Sequence, residues 1–281
     1  SSLYRSLAMT VTRKPFCVVD CIPCFTEQIP VDHVDYHASG IENLNAAERI
    51  HFWFITRRER ILSAFIQHLP QNRYVLEIGA GTAYVAQGLQ GAGYKVAVGE
   101  IHMSGLRFAR EKGIKRCYQF DLIDPPFHEE FDAIGMFDVL EHLQKDVIAL
   151  RQVYEMLKPG GKLFITVPAH QWLWSREDAI ASHKRRYSKK SLRHTVEESG
   201  FQVLENQYIF SFILPLLYLR HLLNKDRGGS VTEQEIQSSE ISINPWLNRG
   251  LLAITRIENR LSVRLPNLAG GSLLCVAKKT S

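Results

Sequence analysis

Four acidic side chains lie at the ends of short apolar runs, and a glycine-rich turn follows the first of these runs. Glu77 lies near the end of the run Tyr74–Ile78, and Gly79 and Gly81 follow it. Glycine lets backbone approach a ligand closely, and the start of a helix offers unpaired N–H groups. The turn is therefore typical of a cradle for a nucleotide-type cofactor. The second run ends at Glu100, whose carboxylate could accept two hydrogen bonds from a ribose.

The other two acidic side chains continue the pattern, since Asp121 follows the run Arg116–Phe120 and Asp138 follows Phe131–Phe137. A single carboxylate in such a place is more often a helix cap or a solvated loop residue. Four of them at successive strand ends favour a shared ligand site instead. The dinucleotide fingerprint requires glycine where Tyr84 stands, and the P-loop signature Gly-Lys-Ser/Thr is missing from this turn. Neither of these two cofactor classes is favoured.

The segment from Glu77 to Ala83 reads E-x-G-x-G-x-A, which resembles the first motif of class I S-adenosylmethionine (SAM) methyltransferases. Met156–Lys162 resembles the turn before that family's fifth strand, and the resemblance covers residues 45–205. It implies that SAM is the cofactor, with Glu77 near its amino group and Asp121 beside the adenine. The residues that the resemblance places at the cofactor are Glu77, Gly79, Ala80, Gly81, Glu100, Ile101, Asp121, Leu122, Phe137 and Asp138.

Segments with strand and helix patterns alternate along the chain. The predicted strands are Tyr74–Ile78, Lys95–Gly99, Arg116–Phe120, Phe131–Phe137, Lys162–Val167 and Gly271–Lys278. The predicted helices are Asn45–Leu69, Ala83–Gln90, Ser104–Lys112, Asp146–Leu157, Ser188–Ser199 and Pro245–Leu265. This alternation predicts an α/β fold, an open and mostly parallel sheet with helices on both faces. The resemblance implies the Rossmann-like class I methyltransferase sheet of seven strands, with the ligand beyond the carboxyl ends of the strands.

The chain is predicted to contain one methyltransferase domain over residues 45–281, preceded by an irregular N-terminal extension at 1–44. An apolar and amphipathic insertion at 208–265 interrupts the domain. Its apolar run would rise about 24 Å as a helix, short of the ~30 Å hydrocarbon core of a membrane. Arginines recur in it near helical spacing, at Arg249, Arg256, Arg260 and Arg264. Two interpretations stay open, in which the insertion covers the pocket or contacts a membrane surface.

The composition is that of an ordinary globular protein, with 281 residues, 45% hydrophobic and 22% charged. The net charge of +5 fits an acidic substrate or a membrane surface, and a nucleic-acid partner is not favoured. Five cysteines without an evident pairing framework indicate a reduced, cytoplasmic setting, with peripheral membrane contact left open. The oligomeric state is not predicted.

Candidates for catalysis and acceptor binding lie after the predicted strands. If the methyl acceptor is a hydroxyl, a general base is needed, and His142 and His183 are candidates together with Tyr187. Aromatic rings beside guanidinium groups suit an anionic or planar acceptor. The substrate candidates on this ground are Trp53, Arg57, Arg185 and Arg186. Packing of Trp53 between helix and sheet is an equally good interpretation.

Two segments resemble metal-binding motifs, although a protein without metal is favoured. Asp138-x-x-Glu141-His142 resembles the E-x-x-E-H segment of ubiquinone-pathway O-methyltransferases, in which these side chains can hold a divalent cation. Cys17, Cys21 and Cys24 have the spacing of a radical-SAM iron–sulfur triad, and a zinc site would need a fourth ligand such as His33 or His37. Unbound thiols are favoured over zinc, and zinc over an iron–sulfur cluster.

The sequence therefore predicts a SAM-dependent methyltransferase. The methyl group would pass to an oxygen or nitrogen of a small-molecule, lipid-linked or glycan-linked acceptor. The alternative is a SAM-binding regulatory or assembly subunit without catalytic activity, because binding alone would also require Glu77, Glu100 and Asp121. A reductase that uses a nicotinamide cofactor is a distant third.

Overall fold

The computed structural model describes residues 14–28, 44–225, 243–261 and 268–280. These residues form a nine-stranded sheet in the order β1-β2-β5-β4-β3-β6-β7-β9-β8. The strands are β1 Cys17–Val19, β2 Ile22–Cys24, β3 Tyr74–Ile78, β4 Lys95–Glu100, β5 Arg116–Gln119, β6 Phe131–Phe137, β7 Leu157–Pro168, β8 Phe201–Ile209 and β9 Ser272–Lys279. From β2 to β7 all neighbours are parallel, while β1 and the last two strands pair antiparallel.

Helices cover both faces of this sheet, as the alternation predicts. They are α1 Phe52–His68, α2 Tyr84–Gly91, α3 Met103–Glu111, α4 Asp146–Met156, α5 Arg176–Ile180, α6 Lys189–Glu198, α7 Leu214–Lys225 and α8 Pro245–Leu261. One buried cluster joins the sheet to α1, α2, α3 and α8, with Phe65 and Leu89 fully buried at its centre. A second cluster joins the opposite face to α4 and α6, around Val153 and Leu192. The fold is the Rossmann-like methyltransferase architecture.

The sheet has nine strands rather than the expected seven. Within the extension predicted to be irregular, β1 and β2 form an antiparallel hairpin that pairs with β5 at Cys24 and Gln119. Each strand has three residues, too few to show a period of two. The sequence also misses β8, whose pairing with β9 is irregular between Val203 and Glu205, so that its alternation is broken. The insertion therefore begins after Ile209, not at residue 208.

The predicted turn at 158–161 lies within β7. Leu157 pairs with Phe131 and Lys162 pairs with Ala133, so β7 contains three more residues than β6 over this stretch. The excess residues form a bulge, and Gly160 adopts a positive φ of 73° there. Glycine and proline therefore mark an irregular strand here rather than a loop.

The helices of the insertion pack on the domain. In α8, Thr255 Oγ1 lies 2.9 Å from Thr56 Oγ1 of α1, and Asn248 Nδ2 donates to the Ile50 carbonyl at 2.7 Å. Glu258 accepts hydrogen bonds from the backbone N–H groups of Ser211 and Phe212, just before α7. Among the described residues, no helix is long and apolar enough to cross a membrane. Arg264 and most of the polar segment between α7 and α8 lie outside the described residues.

Close packing of β4 against β5 predicts the effect of one substitution. A Cβ on Gly99 would lie 2.7 Å from Cζ of Phe120, so Gly99→Ala should lower the free energy of unfolding by about 1–3 kcal/mol. Gly91→Ala, at a helical position with open space around its Cβ among the described residues, should instead raise it by up to about 1 kcal/mol. Urea unfolding curves measure both, and equal effects would contradict the packing argument.

Candidate active site

The turn after β3 forms an open cradle at the carboxyl edge of the sheet. Gly79, Gly81 and Ala83 have positive φ values of 65°, 53° and 60°, a conformation that favours glycine. A Cβ on Gly79 would lie 2.6 Å from Cγ2 of Val139, so only glycine lets the loop after β6 approach the turn. A Cβ on Gly81 would contact no described atom within 4 Å. The turn therefore leaves open space beside the first N–H groups of α2.

Strand register brings the predicted cofactor residues to one edge. Ile78 pairs with Gly99 on one side and with Met136 on the other, and Glu100 pairs with Gln119. The residues that follow these pairs, including Asp121 and Asp138, therefore lie at the same end of four adjacent strands. Ligands of open α/β sheets bind at this edge.

Glu77 is buried, and within the described part of the chain its Oε2 has no hydrogen-bond partner. Burial raises the pKa of Glu77 to about 8, although the charge of Arg57 opposes the shift. A buried carboxyl group with an unsatisfied oxygen is costly unless a ligand provides a donor or a positive charge. The amino group of SAM carries both, so this residue fits the role that the family resemblance implies.

Glu100 and Asp121, which are predicted to contact the ribose and the adenine, each accept a hydrogen bond from a backbone N–H group. Glu100 Oε1 accepts a hydrogen bond from the Ile101 N–H at 2.8 Å, and its other oxygen could accept from a ribose hydroxyl. Asp121 Oδ1 accepts from the N–H of Ile123 at 3.0 Å, and Leu122 between them is buried.

Gly105 in α3 is a residue of this site that the sequence did not reveal. A Cβ there would lie 3.0 Å from the carbonyl oxygen of Gly81 and 3.2 Å from Cγ of Glu100. Glycine at this position lets α3 pack against both the cradle and the ribose carboxylate. Its only sequence signal is its place in the first turn of the helix after Glu100.

Asp138 is already engaged by protein groups. It has a positive φ of 56° and forms an ion pair with Arg57 of α1, and it also accepts a hydrogen bond from Thr166 at 3.1 Å. Phe137 before it is buried, and its ring lies over Gly135. Arg57, predicted to contact the substrate, thus holds the strand end beside the cradle. Its charge also acts on Glu77 and Glu141.

A second buried ionic group lies behind the cradle and was not predicted. Glu48 accepts a hydrogen bond from Thr82 in the turn, and Lys112 Nζ lies 3.8 Å from its Oε2. Burial raises the pKa of Glu48 and lowers that of Lys112. Thr82 lies inside the recognised motif, but Glu48 follows no strand and so gives no positional signal in the sequence.

The segment after β7 contains a histidine held by a buried carboxylate. His183 Nδ1 lies 2.8 Å from Asp178 Oδ1, and Arg186 Nε donates to both oxygens of Asp178 at 2.9 and 3.0 Å. Burial alone would raise the pKa of Asp178, but the hydrogen bonds from His183 and Arg186 lower it to about 2. Asp178 is therefore ionised at neutral pH and fixes the orientation of the imidazole. The sequence did not single out Asp178.

His183 adjoins Glu141 and His142. Its Nε2 lies 3.9 Å from Glu141 Oε1, and the two histidine rings meet edge to face with their centroids 4.7 Å apart. The two oxygens of Glu141 are buried and have no hydrogen-bond partner among the described groups, and burial raises its pKa to about 8. One ligand atom from each of the three residues lies within 4.8 Å of the others, so they could hold a cation. The E-x-x-E-H resemblance suggests Asp138 as the third ligand of a cation. In the structure, His183 takes that place beside Glu141 and His142.

Three other candidates contact protein rather than open space. Arg185 Nη1 and the Tyr187 hydroxyl both donate to Asp146 Oδ2 at 2.8 Å, and Tyr187 is buried. Burial, with the Asp146 carboxylate beside it, raises the pKa of Tyr187 far above its ordinary value, which is unsuitable for a base. Trp53 stacks on Phe210 with ring centroids 3.8 Å apart. These contacts favour structural roles for all three side chains.

Among the described residues, the three N-terminal cysteines do not form a group with metal-ligand spacing, although Cys17 and Cys24 are paired across the hairpin. Cys17 and Cys21 are exposed, while Cys24 is buried with its Sγ 3.9 Å from Met103 Sδ. Burial raises the pKa of Cys24 to about 11, so the side chain is an unreactive thiol. His33 and His37, the possible fourth zinc ligands, lie outside the described residues.

Comparison with known proteins identifies the chain. A family model described as "Methyltransferase domain" matches residues 47–206, which is more than half of the 281 residues. The chain belongs to this methyltransferase family. The match ends within β8, so α7, α8 and the N-terminal hairpin lie outside it.

Similar proteins support the same family. A protein of Mycolicibacterium smegmatis named as a SAM-dependent methyltransferase is 26% identical over 69% of this chain and 74% of its own length. The ubiquinone biosynthesis O-methyltransferase of Xanthomonas axonopodis is 27% identical, over 34% of this chain and 44% of that protein. A structure of Haemonchus contortus phosphoethanolamine N-methyltransferase 2 with SAM has a TM-score of 0.59, 17% identity and coverage of 92% and 62%. At this identity, the structural likeness shows the fold alone.

The methyltransferase is thus a class I enzyme with SAM as its cofactor. The family match confirms the predicted activity, and the alternative of a non-catalytic SAM-binding subunit is not favoured. The glycine-rich turn after β3, the unsatisfied carboxyl group of Glu77 and the acidic side chains at the strand ends together fit this cofactor.

The raised pKa of Glu77 predicts opposite effects on SAM binding and on stability. Below pH 8 the free enzyme holds Glu77 mostly protonated, so binding of the SAM ammonium should release a proton. Affinity should therefore rise toward pH 8 and fall above it, as the amino group of SAM loses its own proton. Glu77→Gln should weaken binding and abolish the rise, which calorimetry in buffers of different ionisation enthalpy can detect.

The same shift destabilises the free enzyme as pH rises. The unfolded chain releases the Glu77 proton near pH 4.5 and the folded chain only near 8, so stability falls between these values. Ligand-free Glu77→Gln should consequently melt at a higher temperature than wild type at pH 8, whereas Glu111→Gln, on the exposed end of α3, should not. A lower melting temperature for Glu77→Gln would contradict the burial argument.

Loss of the ribose carboxylate should weaken SAM binding without affecting its pH dependence. Because charge-assisted hydrogen bonds are strong, Glu100→Ala should raise the Kd at least roughly tenfold. Glu111→Ala is the matched control. Unchanged affinity of the Glu100 variant, measured by titration calorimetry, would remove this residue from the cofactor site.

Proposed function

We propose that this methyltransferase transfers the methyl group of SAM to a hydroxyl oxygen of a small-molecule or lipid-linked acceptor. The observation that carries the proposal is the His183–Asp178 pair on the acceptor side, with an Nδ1 to Oδ1 distance of 2.8 Å. A hydroxyl is a weak nucleophile that benefits from a base, whereas an amine acceptor attacks once it is deprotonated. A histidine fixed by an ionised carboxylate suits the first task.

The position of His183 relative to the cradle supports this role. Glu141, near Nε2 of His183, also accepts a hydrogen bond from the N–H of Lys184 through its backbone carbonyl at 2.7 Å. It lies two residues after Val139, whose side chain packs against Gly79. The histidine is therefore connected to the cradle through one short segment of chain.

In this mechanism the protein orients the acceptor and removes its proton. SAM, when bound, supplies an electrophilic methyl group on a sulfonium. Asp178 accepts the Nδ1–H of His183, which leaves Nε2 free of a proton and able to take the one that the acceptor hydroxyl loses. In its ionised form, Glu141, 3.9 Å from Nε2, would attract the positive charge that then forms on the imidazole. Arg186 keeps Asp178 ionised throughout.

A divalent cation is a second candidate for activating the hydroxyl. The buried, unpartnered oxygens of Glu141 in the described structure favour it, because a cation bound with His142 and His183 would satisfy them. A chelator separates the two possibilities. Activity that persists in EDTA supports the histidine base, and activity that is lost and then restored by added metal supports the cation.

The reaction can be tested with radiolabelled SAM and with lipid and aqueous extracts of the source cells. Wild type should transfer label to one of the two phases, and hydriodic acid should release it as iodomethane, as expected for an O-methyl ether. His183→Ala should reduce the rate about a hundredfold or more, and Asp178→Asn by a smaller factor. Both variants should retain SAM binding by calorimetry.

His194→Ala, on the exposed surface of α6, is the matched control and should keep full activity. If the label is found in an N-methyl group, the acceptor is an amine and the proposal of a hydroxyl acceptor is wrong. If the His183 variant transfers the methyl group at the wild-type rate, His183 is not the general base. SAM binding without transfer to either extract would restore the regulatory alternative.

A further inference from the structure

Helices α7 and α8 carry an unusual share of the exposed apolar surface. In the described part of the chain, ten of the eighteen exposed large apolar side chains lie on these helices or at Phe212, directly before α7. The exposed apolar side chains in and directly before α7 are Phe212, Leu216, Tyr218, Leu219 and Leu222. Exposed apolar clusters of this kind mark interaction sites rather than ordinary surface.

The pattern is clearest on α8, because its two sides differ. Leu251, Thr255 and Glu258 are buried against the domain. The side of the helix that adjoins this buried side carries a stripe that repeats at intervals of three, four and seven residues, as one helix face does. Its members are Leu247, Ile254, Ile257 and Leu261, which are 51%, 41%, 50% and 44% exposed. Trp246, at the start of the helix, is 78% exposed.

The exposed charges of α8 are all positive. Its basic residues are Arg249, Arg256 and Arg260. Its one acidic residue, Glu258, is buried and accepts hydrogen bonds from backbone N–H groups. Arg249 lies over the Trp246 ring, 5.3 Å from its centroid, and Arg256 pairs with Glu59 of α1.

We propose that α7 and α8 form a membrane-binding face for anionic lipid. Apolar side chains with tryptophan and arginine beside them suit the boundary between headgroups and acyl chains, where arginine reaches the lipid phosphates. A second copy of this surface would instead place like charges together. The proposal does not depend on the chemical nature of the methyl acceptor.

This face adjoins the acceptor side of the active site. The Trp172 ring, in the segment after β7, meets the Tyr218 ring of α7 edge to face with centroids 5.7 Å apart. His170, two residues earlier, stacks on Tyr208 at the end of β8. An enzyme bound through α7 would thus hold this segment close to the lipid surface.

Flotation of the full chain with vesicles, without SAM or acceptor, tests the proposal. Wild type should float with phosphatidylcholine–phosphatidylglycerol vesicles at low salt and much less with phosphatidylcholine alone. Ile254→Glu/Ile257→Glu should lower the bound fraction at least tenfold, and the milder Ile257→Ser severalfold. Arg249→Glu/Arg260→Glu should remove the preference for anionic vesicles. SAM binding by each variant checks that it is folded.

Ile148→Glu is the matched control, because Ile148 is 42% exposed on α4, on the other face of the sheet. It should float as wild type does. Wild type that does not float, or that binds both kinds of vesicle equally, overturns the proposal. So does an equal loss in the Ile148 variant. A dimer in light scattering that Ile257→Glu dissociates, without any flotation, would assign the face to self-association instead.

Discussion

The ion pair between Arg57 and Asp138 is the constraint around which the site is built. It connects α1 to the end of β6, where Asp138 has a positive φ and a hydrogen bond from Thr166 of β7. Such a conformation persists only where its surroundings hold it. Here an arginine from outside the sheet and a threonine from the next strand do so. The loop after Asp138 can then bring Val139 against Gly79 and shape the cofactor cradle.

Arg57 also governs the charge balance of the site. It lies near enough to Glu77 and Glu141 to oppose the effect of burial on both, yet the pKa of each remains near 8. Two carboxyl groups that are largely neutral at rest can accept positive charge when a ligand brings it. Glu77 lies next to the cradle and Glu141 lies beside His183, so the charge of a single arginine acts on both places.

The central strands could be predicted because they are buried on both faces. Tyr74–Ile78 and Phe131–Phe137 have the bounds that their apolar runs indicate, and the strand-end acids follow from them. The hairpin Cys17–Cys24 and the irregular strand β8 lie at the sheet edges, where short length and broken alternation remove the signal. Their position depends on contacts with residues far along the chain.

Side-chain roles were harder to predict than positions. Arg57, Arg185 and Arg186 were predicted to bind substrate because arginine suits anions, but each is paired with a carboxylate of the protein. The type of a residue shows the charge that its side chain carries. It does not show which group the side chain will pair with, because that depends on how the chain folds. Asp178 shows the converse, since it follows no strand and lies in a five-residue helix. Only the fold reveals that it holds His183.

The family match covers only part of the described fold, because it ends within β8. Residues 47–206 include the cradle, the strand-end acids and His183. The Trp172 segment is contacted from outside this range, since Tyr218 of α7 meets the Trp172 ring and Tyr208 of β8 stacks on His170. Family membership thus determines the methyl donor. Because α7 lies beside the segment after β7, its exposed apolar surface bears on the proposal of where the acceptor resides.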